Sequence, residues 1–267
     1  KLIETSNCEK NYSEKLLYTN DLPMYYYYPL VNNILSKNEI SKNNIYACPQ
    51  TLFKIHPEFD EVLGSILNKD KKGILYFIKD IDRTYYKKLL ERFKKNKHLD
   101  LNRIKFIDGL TWEGYINHCG KASVLLDPFY FGAGNSFHES MYYGTPTVTL
   151  PTQNLKSKIV SGAYKQMKID SPPISSNVDD YVKKAVKLAN LDSKNMLDLK
   201  YHYKVKAEEH LYEDEQFIEE INCLEPFGSG NSEPKFAIEN IKVISANIVG
   251  NNHIKSILVG KDGFIFK

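Results

Sequence analysis

Arginine is almost missing from this sequence of 267 residues: Arg83, Arg92 and Arg103 are the only three. The planar forks that grip phosphates and base edges bidentately are therefore scarce. Thirty-six basic against thirty-three acidic side chains leave a net charge of +3, too little for the electrostatic footprint of a nucleic-acid partner. Long apolar runs are lacking as well. No window approaches the roughly 18 uninterrupted apolar residues of a membrane span, and the opening residues show no basic flank followed by an apolar core. Neither a membrane span nor a secretory leader is expected. Cysteine is sparse and scattered: Cys8, Cys48, Cys119 and Cys223 form no C-x-x-C pair, which argues against a zinc site and a disulfide scaffold and for a reducing, cytoplasmic setting. His56, His118 and His138 share no ligand spacing, so they read as core or surface histidines, and no metal is expected.

What the chain does have is 42% hydrophobic and 26% charged residues, enough to bury a substantial core. At roughly 150 residues per domain the length suggests one or two domains. The first residue is Lys1, which raises the expectation of a piece cut from something longer. From residue 44 onward, short apolar runs alternate with segments of helical period, the pattern of βαβ units and a parallel sheet. Residues 44–48 read as a strand. Behind Pro57, residues Phe59, Val62, Leu63, Ile66 and Leu67 recur at i, i+3, i+4, i+7 and i+8, one buried helix face. A strand at 73–79 leads to a helix at 82–95 with Tyr85, Tyr86, Leu89, Leu90 and Phe93 as its inner stripe. Residues 104–107 are extended, Thr111 can cap a helix carrying Tyr115 and Ile116, and a strand follows at 122–126. A short helix ending at Tyr143, a strand at 145–150 and helices at 155–167, 178–189 and 194–221 complete this middle part. The flanks differ. Residues 1–43 hold one expected strand, 15–18, and the tyrosine run 25–28, which reads as a strand or as domain-edge packing rather than base stacking. Residues 225–235 are a linker by composition, and 236–267 are β-rich, with strands at 241–249 and 254–259.

Two stretches carry chemistry. Leu126-Asp-Pro-Phe-Tyr-Phe-Gly-Ala-Gly-Asn-Ser-Phe-His-Glu-Ser-Met-Tyr-Tyr-Gly-Thr-Pro146 runs strand, flexible loop, helix. Gly132 and Gly134 let the backbone come close to a ligand, and the first free N–H groups of the helix, near Asn135 and Ser136, point at it with the positive dipole end. A diphosphate suits that place, and Glu139, one turn further, can accept from the two hydroxyls of a ribose. A plain strand-to-helix turn with a solvated Glu explains the same letters. The second stretch, Cys48-Pro-Gln-Thr-Leu-Phe-Lys-Ile-His-Pro57, lies at the C-terminal end of the first strand, the edge where open α/β sheets bind ligands. Lys54 can stabilise charge on a departing diphosphate there, although a lone lysine is ordinarily a solvated charge.

Together these residues resemble the C-terminal catalytic half of family 41 glycosyltransferases, the O-linked N-acetylglucosamine transferase and SPINDLY group, especially its bacterial members attached to tetratricopeptide repeats. Four segments carry the likeness, in family order across residues 10–222: Tyr12-Ser-Glu-Lys-Leu16, residues 48–57, residues 126–146 with Gly-Asn-Ser and Gly-Thr-Pro, and Thr149-Leu-Pro151 with 158–167 after it. The resemblance implies an α/β fold of GT-B type. Residues 44–224 would be one Rossmann-like parallel-sheet domain with helices on both faces, flanked by fragments: 1–43, the end of the N-terminal catalytic half, and 236–267, the start of a further domain. It implies a nucleotide-sugar donor, usually UDP-N-acetylglucosamine, a protein or peptide hydroxyl as acceptor, transfer with inversion, no metal and no further cofactor, and preceding tetratricopeptide repeats.

Carried over by position, Lys54 matches the family lysine at the diphosphate, and Thr51 stands where the family often has Gln or Asn. Gly134 belongs to the phosphate loop, Asn135 and Ser136 fall on the phosphate-holding pair, and Glu139 on the ribose-binding acid. Leu110, Trp112 and Tyr115 frame the base, Leu110 through its backbone. Animal family members have Lys and His where Trp112 and Tyr115 stand, which leaves the base open. The family's base-side histidines belong to the N-terminal half, and nothing here matches them. Asp80-Ile-Asp82 fits the D-x-D metal pattern of some other glycosyltransferases, yet Asp82 reads better as a helix cap. Ile257-Leu-Val-Gly-Lys-Asp-Gly-Phe-Ile-Phe266 resembles the opening hairpin of SGNH-hydrolase-like domains related to alginate acetylation, and equally a generic hairpin turning at Asp262-Gly263. Two other readings stay open: a nucleotide-sugar epimerase of the same fold, and a non-catalytic domain that binds nucleotide-sugar or makes protein contacts.

Overall fold

Strands β1 (Ile45–Cys48), β2 (Ile74–Ile78), β3 (Ile104–Ile107), β4 (Val124–Leu126) and β5 (Thr147–Val148) form one parallel sheet in the order β3-β2-β1-β4-β5. The computed structural model describes residues 2–4, 8–13, 15–16, 18–24, 26–29, 31–32 and 44–212, and the backbone of residues 242–249, 253–259 and 265–266. The chain divides into two units, Lys1–Glu213 and Asp214–Lys267. In the first, helices α1 (Phe59–Lys69), α2 (Thr84–Lys95), α3 (Trp112–Lys121), α4 (Asn135–Ser140), α5 (Ile159–Gln166), α6 (Val178–Ala189) and α7 (Ser193–His210) surround the sheet.

Side-chain alternation on the strands assigns the helices to their faces. Tyr46 and Cys48 of β1 and Val124 and Leu126 of β4 pack with Phe59, Val62, Leu63, Ile66 and Leu67 of α1, Leu89 and Phe93 of α2, and Tyr181, Val182 and Ala185 of α6. The opposite set, Ala47 and Leu125, packs with Cys119 of α3. Full burial of each large aliphatic or aromatic side chain contributes about 1.5–3 kcal/mol, so the α1 stripe alone ties that helix firmly to the sheet. A third cluster joins Phe137 and Met141 to Val160 and Tyr164 of α5, to Met167 just after it and to Tyr203 and Ala207 of α7, and Ile3 and Leu22 from the N-terminal segment enter the same cluster.

Several boundaries differ from the sequence expectation for visible reasons. Asp80, not Asp82, is the main cap of α2: its two carboxylate oxygens accept from the backbone N–H groups of Tyr85 and Tyr86 at 2.9 and 2.8 Å, while Asp82 accepts only from Thr84 at 3.2 Å. The inner stripe of α2 narrows to Leu89 and Phe93, and Tyr85 is exposed. The strand expected at 145–150 shrinks to Thr147–Val148, because Thr149 leaves the sheet to bond with the 173–175 segment. The expected helix at 155–167 starts as a 3-10 turn, Leu155–Ser157, where the Ser157 hydroxyl bonds Asn154 O, and becomes α-helical at Ile159. Ala122 and Ser123 precede β4, since Ala122 closes α3. No strand forms among the described residues of 15–18; a 3-10 turn at Cys8–Asn11 stands nearby, bound through Glu9 to the Tyr18 hydroxyl. Residues 213–221 of the expected last helix, the 225–235 linker, Tyr25 and Cys223 lie outside the described residues, whereas α7 ends at His210.

Gly144 shows why one turn needs glycine. Its φ is +63° and a Cβ there would lie 1.9 Å from the Lys200 carbonyl of α7, so any side chain would push α4 and α7 apart. In the second unit, β6 (Lys242–Val249), β7 (His253–Val259) and β8 (Ile265–Phe266) form an antiparallel sheet in that order, with a register shift between Val243 and Ser245.

Candidate functional site

The strand order reverses between β1 and β4, which lie side by side with their connections running to opposite sides. That is where an open α/β sheet leaves a crevice at its C-terminal edge. A cleft of about 750 Å³ occupies this edge, lined by Pro49, Gln50, Thr51 and Lys54 after β1, Leu110, Trp112 and Tyr115 after β3, residues 131, 132 and 134–136 and Glu139 after β4, and by Met24 and Ile159. All nine residues singled out from sequence line it: Thr51, Lys54, Leu110, Trp112, Tyr115, Gly134, Asn135, Ser136 and Glu139.

One end is a polar network. The 3-10 turn Leu52–Lys54 carries the Lys54 ammonium back over the sheet edge, where it donates to Gln50 Oε1 at 3.0 Å and to the Gly132 carbonyl at 3.1 Å. It also sits 4.4 Å from the centre of the Phe131 ring, a favourable cation–π placement. Burial pulls the Lys54 pKa down, and the nearby Asp127 carboxylate opposes that shift. Gln50, only 6% exposed, donates through Nε2 to Ser136 Oγ at 2.7 Å. The Lys54 turn and the start of α4 are thereby joined through one side chain. Gly134 occupies the N-cap position of α4 without a side-chain cap, so the helix opens toward the cleft with its first N–H groups, those of Asn135 and Ser136.

The other end is apolar and open. Leu110 and Trp112 are 40% and 39% exposed. The Trp112 indole N–H donates to Glu139 Oε1 at 3.0 Å, so the acid expected at a ribose is already held by the aromatic wall. Tyr115 lines the cleft, and its hydroxyl donates to the Pro49 carbonyl at 3.2 Å, tying α3 to the loop after β1. Burial first, then the neighbouring Cys119 and Glu139, raise its pKa well above the usual phenol range.

Sequence reasoning passed over Gln50, Phe131 and Asp127. Gln50 lay inside a stretch already selected, and a polar side chain directly past a buried strand end was the available clue. Asp127 is 3% exposed and accepts from Ala133 N and Thr149 Oγ1, both at 2.6 Å. Its clue was an Asp closing an apolar strand. His138 is buried at 1% exposure and stacks on Tyr26 at 4.2 Å, and burial lowers its pKa to about 4. Among the described residues no three His, Cys, Asp or Glu side chains cluster as metal ligands, and no helix is long and apolar enough to cross a membrane.

Residues 34–221 match the family profile described as glycosyl transferase family 41. The chain belongs to glycosyltransferase family 41. Residues 204–266 also match the profile of the RecJ OB domain. Among curated proteins, none matches the sequence. Among solved structures, this family 41 chain is similar to a mutant O-GlcNAc transferase of Thermobaculum terrenum, with a TM-score of 0.63 at 15% identity over 78% of this chain and 40% of that one. It is similar to a Staphylococcus aureus TarM mutant in complex with fondaparinux, alpha-GlcNAc-glycerol and UDP, with a TM-score of 0.56 at 12% identity over 80% of this chain and 40% of the other. Anabaena HepE in complex with UDP and glucose follows, with a TM-score of 0.52 at 14% identity over 71% and 53% of the two chains. The family 41 chain thus spans about half or less of each, and the shared part has the GT-B type fold.

Proposed function

We propose that this chain supplies the donor-binding half of an inverting glycosyltransferase that transfers N-acetylglucosamine from UDP-N-acetylglucosamine to a protein or peptide hydroxyl. The observation that carries the reading is the cleft at the β1/β4 switch point, which gathers a half-buried lysine, a helix start and a carboxylate in one lining. The TarM and HepE structures that share this fold hold UDP, which favours a uridine diphosphate donor here.

In this reading the diphosphate lies between Lys54 and the N–H groups of Asn135 and Ser136, with Gln50 fixing the distance between them. Glu139 takes the ribose hydroxyls, and Leu110 and Trp112 border the base. The acceptor oxygen attacks the anomeric carbon as the bond from that carbon to the diphosphate oxygen breaks. The electron pair leaves with the diphosphate, where Lys54 and the helix start meet the developing charge. The acceptor proton passes to a base outside this cleft. Lysine and amides carry the charge with no metal and no further cofactor.

The test is thermal shift of the full chain with UDP, UDP-N-acetylglucosamine and GDP-fucose. Stabilisation by the uridine compounds, lost in Lys54→Ala, supports the reading. No stabilisation by any of the three, with Lys54→Ala indistinguishable from the parent, would sink it in favour of a contact domain. Release of free epimerised sugar without acceptor would point instead to an epimerase.

A further inference from the structure

Beneath the phosphate end lies a carboxylate that the proposed transfer does not use. Asp127 directly follows β4, and each of its oxygens is committed: one accepts from Ala133 N in the glycine loop and the other from Thr149 Oγ1 just past β5, both at 2.6 Å. A Cβ on Gly132 would lie 2.7 Å from the same carboxylate, so the loop rests directly on it. The carbonyl of Gly132 in turn accepts from Lys54. The end of β4, the glycine loop and the segment past β5 therefore meet at one buried acid, and Lys54 joins them through the Gly132 carbonyl.

We propose that Asp127 is the positioning residue of the phosphate end: it sets the height of the 132–134 loop, and its charge governs how much of the positive field of Lys54 reaches a diphosphate. The inference rests on the donor-binding reading above and deepens it. A negative charge below Lys54 offsets that lysine and opposes phosphate, whereas the neutral acid leaves the full cation exposed to it. Burial holds the Asp127 pKa up at about 7, against the hydrogen bonds from Thr149 and Ala133 and the charge of Lys54. The other titratable groups facing it are the Cys48 thiol of β1, the Tyr164 phenol of α5 and the Tyr181 phenol of α6. Burial raises all three, which keeps them neutral near pH 7. Lys54 and Asp127 are thus the groups of this set that carry charge near neutrality, each acting on the other electrostatically.

The experiment is calorimetric titration of the full chain with UDP-N-acetylglucosamine, whose diphosphate diester carries no proton to lose near neutrality, and with uridine, from about pH 6 to about pH 8.5. The parent should bind the nucleotide sugar about threefold or more weakly at the upper end, with a midpoint near 7, and bind uridine evenly throughout. Asp127→Asn keeps the shape and should flatten the profile at the tight level. Thr149→Val removes a donor to the charged form and should move the midpoint upward. His56→Gln, two residues past Lys54, should leave the profile unchanged. A parent-like slope in Asp127→Asn, or equal changes for uridine and nucleotide sugar, overturns the inference. So does an unmoved midpoint in Thr149→Val, which carries the test should Asp127→Asn not fold. If the parent binds neither compound at any pH, the donor-binding reading itself falls.

Discussion

At one end of the cleft Lys54, Gln50 and Ser136 are tied in a chain of hydrogen bonds at 2.7–3.1 Å above a buried carboxylate; at the other, Leu110 and Trp112 stand about two-fifths exposed on the connection after β3. The first end sits on the paired strands β1 and β4 in the middle of the sheet, the second beyond the edge strand β3. A half-buried network already joined by hydrogen bonds keeps its geometry when a ligand arrives, so little reorganisation opposes binding or charge development. An exposed aromatic wall can shift and tolerate different rings. In the proposed donor-binding reading, the difference separates what the domain would hold rigidly, a diphosphate, from what it would leave adjustable, a base.

The largest expected effect concerns the buried acid under the rigid end. In the unfolded chain the Asp127 carboxyl titrates at the ordinary carboxylate value near 3.8, and in the folded chain near 7. Between these values the folded state holds an extra proton, so this group makes stability fall as pH rises through that window, and contributes no slope above or below it. The cost above neutrality is about 2–4 kcal/mol. Asp127→Asn should remove it, so the difference in unfolding free energy between variant and parent, from denaturant titrations, should grow from about pH 4 to about pH 7 and then level off. A difference independent of pH would show that the acid is not the buried, raised group described.

Next comes Lys54. Charge-assisted hydrogen bonds contribute about 1.5–3 kcal/mol, so Lys54→Ala should weaken UDP about tenfold to a hundredfold while leaving uridine nearly unchanged. Equal losses for both would place the lysine away from the phosphates. Ser136→Ala ranks below it. The variant leaves Gln50 Nε2 without its partner at 2.7 Å, and a cost of about 1 kcal/mol, roughly fivefold in the affinity for UDP, is the expected reading from the same titration.

The same contrast governs how much the sequence disclosed. The sheet was legible because β1 to β4 are apolar runs with helical stripes between them, and the four-residue and longer strands fell where periodicity placed them. Thr149 escaped, since its bonding to 173–175 depends on a segment more than twenty residues away. The α2 cap was read from Asp82 because adjacency favours it, while Asp80 reaches two N–H groups from further back. In the site, Lys54, Asn135, Ser136 and Glu139 stand in segments whose spacing can be recognised. Gln50 acts through Ser136, 86 residues away, a role that exists only once β1 and β4 lie side by side, and Asp127 acts through Thr149, 22 residues away, a role that exists only once β5 lies beside β4. For Tyr115, the family likeness suggested a place beside the base, and the fold adds a tie from its hydroxyl to Pro49 that no spacing announces.

The smallest effect belongs to the adjustable end and bears most directly on its meaning. Trp112 contributes a ring face at the cleft and an N–H that holds Glu139. An aromatic contact is worth about 0.5–1.5 kcal/mol beyond burial, so Trp112→Phe, which keeps the ring and loses the donor, should change UDP affinity by about threefold or less. Its more telling outcome is the ratio between uridine and guanosine diphosphates. Should the wall alone select the base, Trp112→Phe would preserve that ratio and Trp112→Ala would erase it, because only the second removes the surface. Should selection come instead from Glu139 as positioned by the indole N–H, both variants would shift the ratio alike. Parallel titrations of the two variants with both diphosphates decide between an end that recognises by shape and one that recognises through a placed carboxylate.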